Sequence, residues 1–221
     1  MTEALCFALD GVLVHRRRSD TAILRAVFAA HDIEPTDERL ATARETFRDA
    51  FKELEPDPYR QSMAAAVDAA GSDADPDALV ATLRERTYDG TTVPEAARES
   101  LTGLAEDGAL AVITNGPREW QVGKLDHHGL TELFDAVVAS YDAGAHVPDA
   151  APFDRLRERV PADEYAMVGD ADAVEGARAA GFVPIAYDAG HRPADTASSA
   201  DSRAATPRAG PDLWATIDAL S

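Results

Sequence analysis

The chain has 221 residues, of which 40 are acidic and 21 are basic, and its formal net charge is −19. This length allows either one domain or a core with a smaller insert. The charge makes nucleic acid and anionic membranes poor partners, because both carry charge of the same sign.

The first predicted element is a buried strand at residues 4–9, ALCFAL, which ends in the turn Asp10-Gly11. Such a strand often delivers carboxylates to an active site. Asp10 is one carboxylate, but Ala8, two residues earlier on the same side of the strand, carries none. Asp10 either caps the turn or retains part of a function.

Cys6 is the single cysteine, so it cannot form an internal disulfide and is expected to be a buried, unreactive thiol.

Residues 19–86 predict helices, because start signals precede apolar residues at helical spacing in SDTAILRAVFAAH, TDERLATARETFRDAFKEL, PYRQSMAAAVDAAG and DPDALVATLRERT. After Val93, helices alternate with the apolar strands ALAVIT, FDAVVAS, YAMVGD and FVPIAYD (109–114, 134–140, 165–170 and 182–188). This alternation predicts an α/β fold: a Rossmann-like parallel sheet with helices on both faces. We expect residues 1–14 and 91–221 to form the core and residues 15–90 to form a helical insert.

The end of the chain is less regular. Residues 189–210 are rich in Ala, Ser and Pro without periodicity and predict a mobile loop, and PDLWATIDAL predicts a short helix after it. No apolar run reaches the roughly 18 residues of a membrane span, and the first residues lack the pattern of an export signal, so a cytoplasmic location is expected.

The positive charge is almost all arginine, since the only lysines are Lys52 and Lys124. An acidic, lysine-poor surface is typical of a cytosol with very high salt, where repulsion between carboxylates is screened. An acidic protein from a low-salt cytosol is the alternative.

Ligands of parallel sheets bind at the carboxyl ends of the strands. Here those ends carry Asp10-Gly11, Thr114-Asn115-Gly116, the segment after Ser140, and Gly169-Asp170. In this order, with a helical insert after the first, they resemble the haloacid dehalogenase (HAD) superfamily, in particular its phosphatase-like members with a helical cap. The stretches VITNGPREWQVGKLDHHGLTELFDAVVAS and MVGD-to-VEGARAAGF also resemble that superfamily's second and last motifs.

The resemblance implies a covalent phosphatase mechanism. In the first motif, Asp-x-Asp-Gly, the first Asp attacks phosphorus and the second is the general acid and base. The second motif holds the phosphoryl oxygens with a hydroxyl and backbone amides. A lysine of the third motif and Mg²⁺ bound by carboxylates of the fourth offset charge on the transferring group.

Carried over to this chain, the first three motifs are only partly retained. The nucleophile falls on Ala8 and is lost, whereas the acid/base position is retained as Asp10. The phosphate-binding positions are retained as Thr114, Asn115 and Gly116. The lysine of the third motif falls on Val147, within HVPDAAPF.

The fourth motif is also altered. Asp170 is retained, but the loop that follows it is about two residues short and the second Asp of the motif falls on Ala173, while Asp172 is out of register. Asp170, Asp10 through its backbone carbonyl, and Asp172 are therefore the candidate ligands of a weakly bound Mg²⁺.

We expect an inactive or impaired HAD protein that binds a small phosphorylated or anionic molecule. The alternative is an active Mg²⁺-dependent hydrolase of small phosphate esters with a rebuilt site, in which Asp10 or Asp170 activates water. An engineered Asp-to-Ala change accounts for Ala8 but not for Val147 or the shortened fourth motif. A protein partner is not identifiable from sequence.

Basic residues elsewhere have competing interpretations. The run from His15 to Arg18 forms either an anion clamp or, more commonly, a solvated surface. His146 lies beside the missing lysine position and is a weaker candidate for phosphate binding. His127, His128 and Lys124 are expected at the surface.

Overall fold

The computed structural model describes residues 2–187, so the predicted loop at 189–210 and the helix after it lie outside the described residues. The chain divides into two compact units. One comprises the residues up to His15 together with those from Thr92, and the other comprises Arg16–Thr91. We call them the sheet unit and the helical unit.

The elements follow one another in a simple order. The first strands and the helical unit contribute β1 (Glu3–Ala8), β2 (His15–Arg16), α1 (Asp20–Ala30), α2 (Asp37–Lys52), α3 (Pro58–Ala70), α4 (Pro76–Asp89) and β3 (Thr91–Thr92). The rest of the chain contributes α5 (Glu95–Asp107), β4 (Ala109–Thr114), α6 (Arg118–His127), a 3₁₀ helix (Thr131–Leu133), β5 (Ala136–Ala139), α7 (Ser140–Ala143), α8 (Ala150–Arg159), β6 (Glu164–Gly169), α9 (Ala171–Ala179) and β7 (Val183–Ala186).

Five of the strands form one parallel sheet in the order β5-β4-β1-β6-β7. The central strand β1 aligns Ala8 with Ile113 of β4, and Phe7 with Val168 of β6. The short strands β2 and β3 pair separately. Because all five strands run in the same direction, their carboxyl ends lie along one edge of the sheet. Asp10, Asn115 and Asp170 follow the carboxyl ends of β1, β4 and β6.

Each face of the sheet has its own apolar core. Phe7 contributes to one core, together with residues of α5 and α6. Its neighbour Cys6 contributes to the other, together with residues of α8 and α9. Successive side chains of a strand point to opposite faces, so a strand buried on both faces must be apolar at every position. The predicted α/β class, a parallel sheet covered on both faces, is confirmed.

The helical unit consists of four helices whose start signals are those expected from the sequence. The side chains of Ser19, Thr36 and Asp75 accept hydrogen bonds from backbone N–H groups in the first turns of α1, α2 and α4. Helix α3 packs on α2, where the buried Ser62 hydroxyl donates to the carbonyl of Ala43 at 2.7 Å. Within residues 2–187, no helix is long and apolar enough to cross a membrane.

Candidate functional site

The carboxyl end of β1 turns tightly and fixes the position of Asp10. The amides of Leu13 and Val14 donate to the carbonyl of Leu9 at 3.0 and 2.9 Å, and the amide of Gly11 donates to Val14 at 2.8 Å. Leu9, Leu13 and Val14 are almost completely buried. Gly11 has φ +83°, in the left-handed region that favours glycine. The turn is therefore anchored on both sides of Asp10, whose side chain remains 32% exposed.

The partner of Asp10 is Lys124 of α6. The Lys124 Nζ lies 2.8 Å from Asp10 Oδ1 and 2.7 Å from Oδ2, and the lysine side chain is only 5% exposed. The prediction that Lys124 lies at the surface is wrong. A buried ammonium group is costly unless it is paired, and charge-assisted hydrogen bonds are the strong ones. Asp10 therefore serves as the counterion of Lys124 and joins the β1 turn to α6.

Small side chains pack where β1 and β6 end. Ala8 is half-buried, and a Cβ built on Gly169 would lie 3.6 Å from the Ala8 Cβ and would overlap the Cβ of Ala173. Gly169 thus allows a close approach of strand and helix. The Ala8 methyl carries no lone pair with which to attack a substrate.

The end of β4 is held by hydrogen bonds within the sheet unit. Asn115 accepts from the Val147 amide at 2.9 Å and donates to the Val147 carbonyl at 3.3 Å. The Gly116 amide donates to the buried Ser140 hydroxyl at 2.9 Å. The third predicted phosphate-binding position is Thr114. Its side-chain hydroxyl has no hydrogen-bond partner among residues 2–187.

The segment expected to supply the lysine of the third motif has a different role. The backbone of Val147 is held from both sides by Asn115, and its side chain packs against the core that contains Cys6. The neighbouring His146 is half-buried, with its ring centroid 6.2 Å from that of Tyr141. Phosphate binding by His146 stays a prediction.

The end of β6 leads into α9 through a single residue. Asp170 is the N-cap of α9, and its Oδ1 accepts from the Ala173 amide at 3.1 Å. Ala173, at the position of the lost carboxylate, is buried, whereas Asp172 is exposed in the first turn of the helix. The shortening of the fourth motif thus brings the helix start directly against the strand end.

The predicted Mg²⁺ ligands do not assemble into a metal site. Among residues 2–187, no three or more His, Cys, Asp or Glu side chains are grouped so that they could hold a metal ion. The side-chain carboxylate of Asp10 is engaged by Lys124, and that of Asp170 caps its own helix. The residues present therefore do not fit the divalent ion that the superfamily resemblance implies.

Sequence reasoning missed the polar face of α6. Gln121 and Lys124 are three residues apart, so they lie on the same side of the helix, and both are buried. The Gln121 side-chain amide donates to the carbonyl of Asn115, while Lys124 binds Asp10. One helix face thus holds the ends of two strands. The signal was a lysine and a glutamine at one-turn spacing in a helix that follows a strand end.

Comparisons with known proteins agree with this architecture. A family model described as haloacid dehalogenase-like hydrolase matches residues 2–181. The chain is 39% identical over 124 residues to a ribulose-1,5-bisphosphate 5-phosphatase from Halopiger xanaduensis, a match that covers 52% of this chain and 49% of that relative. It is 32% identical over 200 residues to a phosphoglycolate phosphatase from Rhodospirillum rubrum, covering 84% of this chain and 78% of that relative.

Among solved structures, YfnB from Bacillus subtilis, crystallised with bound magnesium, is similar with a TM-score of 0.63 and 23% identity, covering 83% of this chain and 87% of that one. At this identity the likeness concerns the fold. The matched stretch spans about half the length of the first relative, the ribulose-1,5-bisphosphate 5-phosphatase.

Proposed function

Since the chain belongs to the haloacid dehalogenase-like hydrolase family, as its motifs predict, we propose that it is a phosphatase-like member with impaired covalent chemistry. In this proposal it binds a small phosphorylated or anionic molecule at the carboxyl ends of β1 and β4. In the same proposal, the helical unit has the role of the family's cap. The cytoplasmic location stays a prediction.

The observation that carries the proposal is Ala8 at the end of β1. The position is half-buried beside Gly169, directly before the fixed turn of Asp10, and it offers a methyl group where the family mechanism needs a nucleophilic carboxylate. Loss of the nucleophile in an enzyme with a covalent intermediate costs on the order of 10⁶ in turnover. The intact turn around it argues that the scaffold persists without its covalent step.

Anion binding is supported by the polar groups that remain. The Thr114 hydroxyl lies at the end of β4 with no hydrogen-bond partner among residues 2–187, and the Asp10–Lys124 pair adds no net charge that would repel an anion. The curated relatives that match act, by their names, on small phosphorylated molecules.

The second candidate is an active hydrolase in which a carboxylate activates water. The retained Asp10 favours it, because two hydrogen bonds from Lys124 hold that carboxylate in one orientation. The two candidates differ in whether the native chain turns over.

Turnover on a panel of small phosphate esters, in molar KCl with and without Mg²⁺, separates them. We expect no turnover by the native chain, and a gain in Ala8→Asp that the matched Ala8→Asn variant lacks, because the amide is a far weaker nucleophile. An Ala8→Asp/Val147→Lys variant tests whether the third-motif lysine is needed as well. Clear turnover by the native chain, lost in an Asp10→Asn variant that circular dichroism shows to be folded, would instead establish the water-activating hydrolase.

Binding is tested separately from turnover. Titration of the native chain with inorganic phosphate, followed by ³¹P line broadening, is expected to show saturable binding that weakens in Thr114→Val. The matched control is Thr102→Val, because the Thr102 hydroxyl bonds to its own helix through the Arg98 carbonyl. Equal binding by both variants would remove Thr114 from the site.

A further inference from the structure

The Asp10–Lys124 pair places a positive charge inside the candidate site. The ammonium contacts both oxygens of the carboxylate, and its side chain is almost completely buried. At such a distance two opposite unit charges attract strongly when water is largely excluded. The pair therefore brings no net charge to the turn, although Asp10 itself is acidic.

A divalent ion has little to attract it here. Mg²⁺ in proteins is bound through one or two carboxylates and keeps several waters. The Asp10 carboxylate is already neutralised, and the Asp170 carboxylate accepts a hydrogen bond from the start of α9. An ammonium group beside Asp10 also repels a dication placed at the same turn. Among residues 2–187, no three side chains are grouped to bind a metal ion, and the Lys124 ammonium also opposes the entry of one.

We propose that Lys124 is the resident cation of this site and takes the place of a divalent metal, so that the site is independent of Mg²⁺. The lysine comes from α6 rather than from the segment around Val147, where the family supplies a third-motif lysine. The proposal goes beyond impaired catalysis, since a site without turnover can still bind metal. It concerns the same strand ends as the proposed function.

The experiment measures Mn²⁺ binding by electron paramagnetic resonance in molar KCl, which screens weak binding to the acidic surface. No substrate is present, so the result does not depend on turnover. We expect no stoichiometric Mn²⁺ site in the native chain. In Lys124→Gln we expect one bound Mn²⁺ per chain, at least about tenfold tighter than in the native chain, because the adjacent positive charge has been removed.

The chain provides a matched control in its other lysine. Lys52 belongs to the helical unit and is 78% exposed, so Lys52→Gln makes the same change in net charge without altering the sheet unit. We expect it to bind Mn²⁺ as the native chain does. The gained site should disappear again in Lys124→Gln/Asp10→Asn. If both single lysine variants gain binding equally, or neither gains any, Lys124 does not control metal entry and the proposal fails.

A second measurement keeps the proposal falsifiable if Lys124→Gln does not fold. Stoichiometric Mn²⁺ binding by the native chain that is lost in Asp170→Asn would overturn the proposal without any lysine variant. Absence of such binding, together with an unfolding temperature unchanged by Mn²⁺, would support it. Metal binding by the native chain without turnover would overturn this proposal but leave the proposed function intact. Turnover that does not need metal would overturn the proposed function but leave this proposal intact.

Discussion

At the scale of single residues, the retention of Asp10 beside Ala8 has a structural explanation. Asp10 neutralises Lys124, a side chain that is 5% exposed in a chain with only two lysines. Removing either partner leaves the other charge in place without its counterion. The sequence could place Asp10 at the end of a strand, but not its partner 114 residues away, because a contact between distant residues has no local pattern.

The pair should be measurable in a double-mutant cycle. We expect Asp10→Asn to destabilise the fold by about 2–4 kcal/mol, because it leaves a buried ammonium without a counterion. Lys124→Met should cost less, since the carboxylate is partly solvated. The coupling free energy from urea unfolding of the two single variants and the double variant should be on the order of 1–3 kcal/mol.

The matched control for this cycle is the exposed pair of Arg155 and Glu158, whose charged atoms are 2.7 Å apart on α8. Exposed pairs typically couple by less than about 1 kcal/mol. A coupling for Asp10 and Lys124 no larger than that of the control would mean that the buried pair does not stabilise the turn.

At the scale of secondary structure, the inner strands β1 and β4 were predictable because they are buried on both faces. The residues predicted for the second strand, 109–114, are those of β4, and the first prediction, 4–9, is displaced by one residue from β1 (Glu3–Ala8). Helix α6 was located, but its polar face was not assigned. Its buried Gln121 and Lys124 interrupt the apolar stripe, and only the tertiary contacts show that they face inward.

The central strand β1 also makes stability depend on pH through Cys6. Burial raises the pKa of this thiol from 9.0 to about 12. Below pH 9 this thiol does not change the free energy of unfolding with pH, because it is protonated in both the folded and the unfolded chain. Above pH 9 the unfolded chain loses the proton first, so stability falls by as much as about 1.4 kcal/mol per pH unit until the folded thiol ionises near 12.

We expect the unfolding free energy from guanidinium titrations to decrease between pH 9 and 11. Cys6→Ala should lower stability at pH 7 by leaving a small cavity, but it should show a shallower decrease with pH, since the titrating thiol is gone. Parallel pH profiles for the two proteins would mean that other groups cause the alkaline loss.

At the scale of the whole molecule, the net charge of −19 predicts a strong dependence on salt. Repulsion between carboxylates opposes compactness and is screened over about 8 Å at physiological salt but about 3 Å at 1 M. If the protein is adapted to a high-salt cytosol, its unfolding temperature should continue to rise into molar KCl. A plateau at physiological salt would favour an acidic protein from a low-salt cytosol.

Sucrose supplies the control for this measurement, because it stabilises compact states by exclusion without screening charge. A similar rise in sucrose would assign the effect to exclusion from the surface. This prediction needs only the sequence composition, because it depends on the sum of charges rather than on their positions.

The burial of Lys124 also separates the two lysines of the chain by chemical reactivity. Lys52 stands in solvent, whereas the Lys124 amine is enclosed by the Asp10 turn. An acylating reagent used in pulses should therefore modify Lys52 at once and reach Lys124 only during moments when α6 separates from that turn. The acylation rate of Lys124 therefore measures how often the sheet edge opens locally. Lys52 serves as the internal standard when both lysines are quantified in one proteolytic digest.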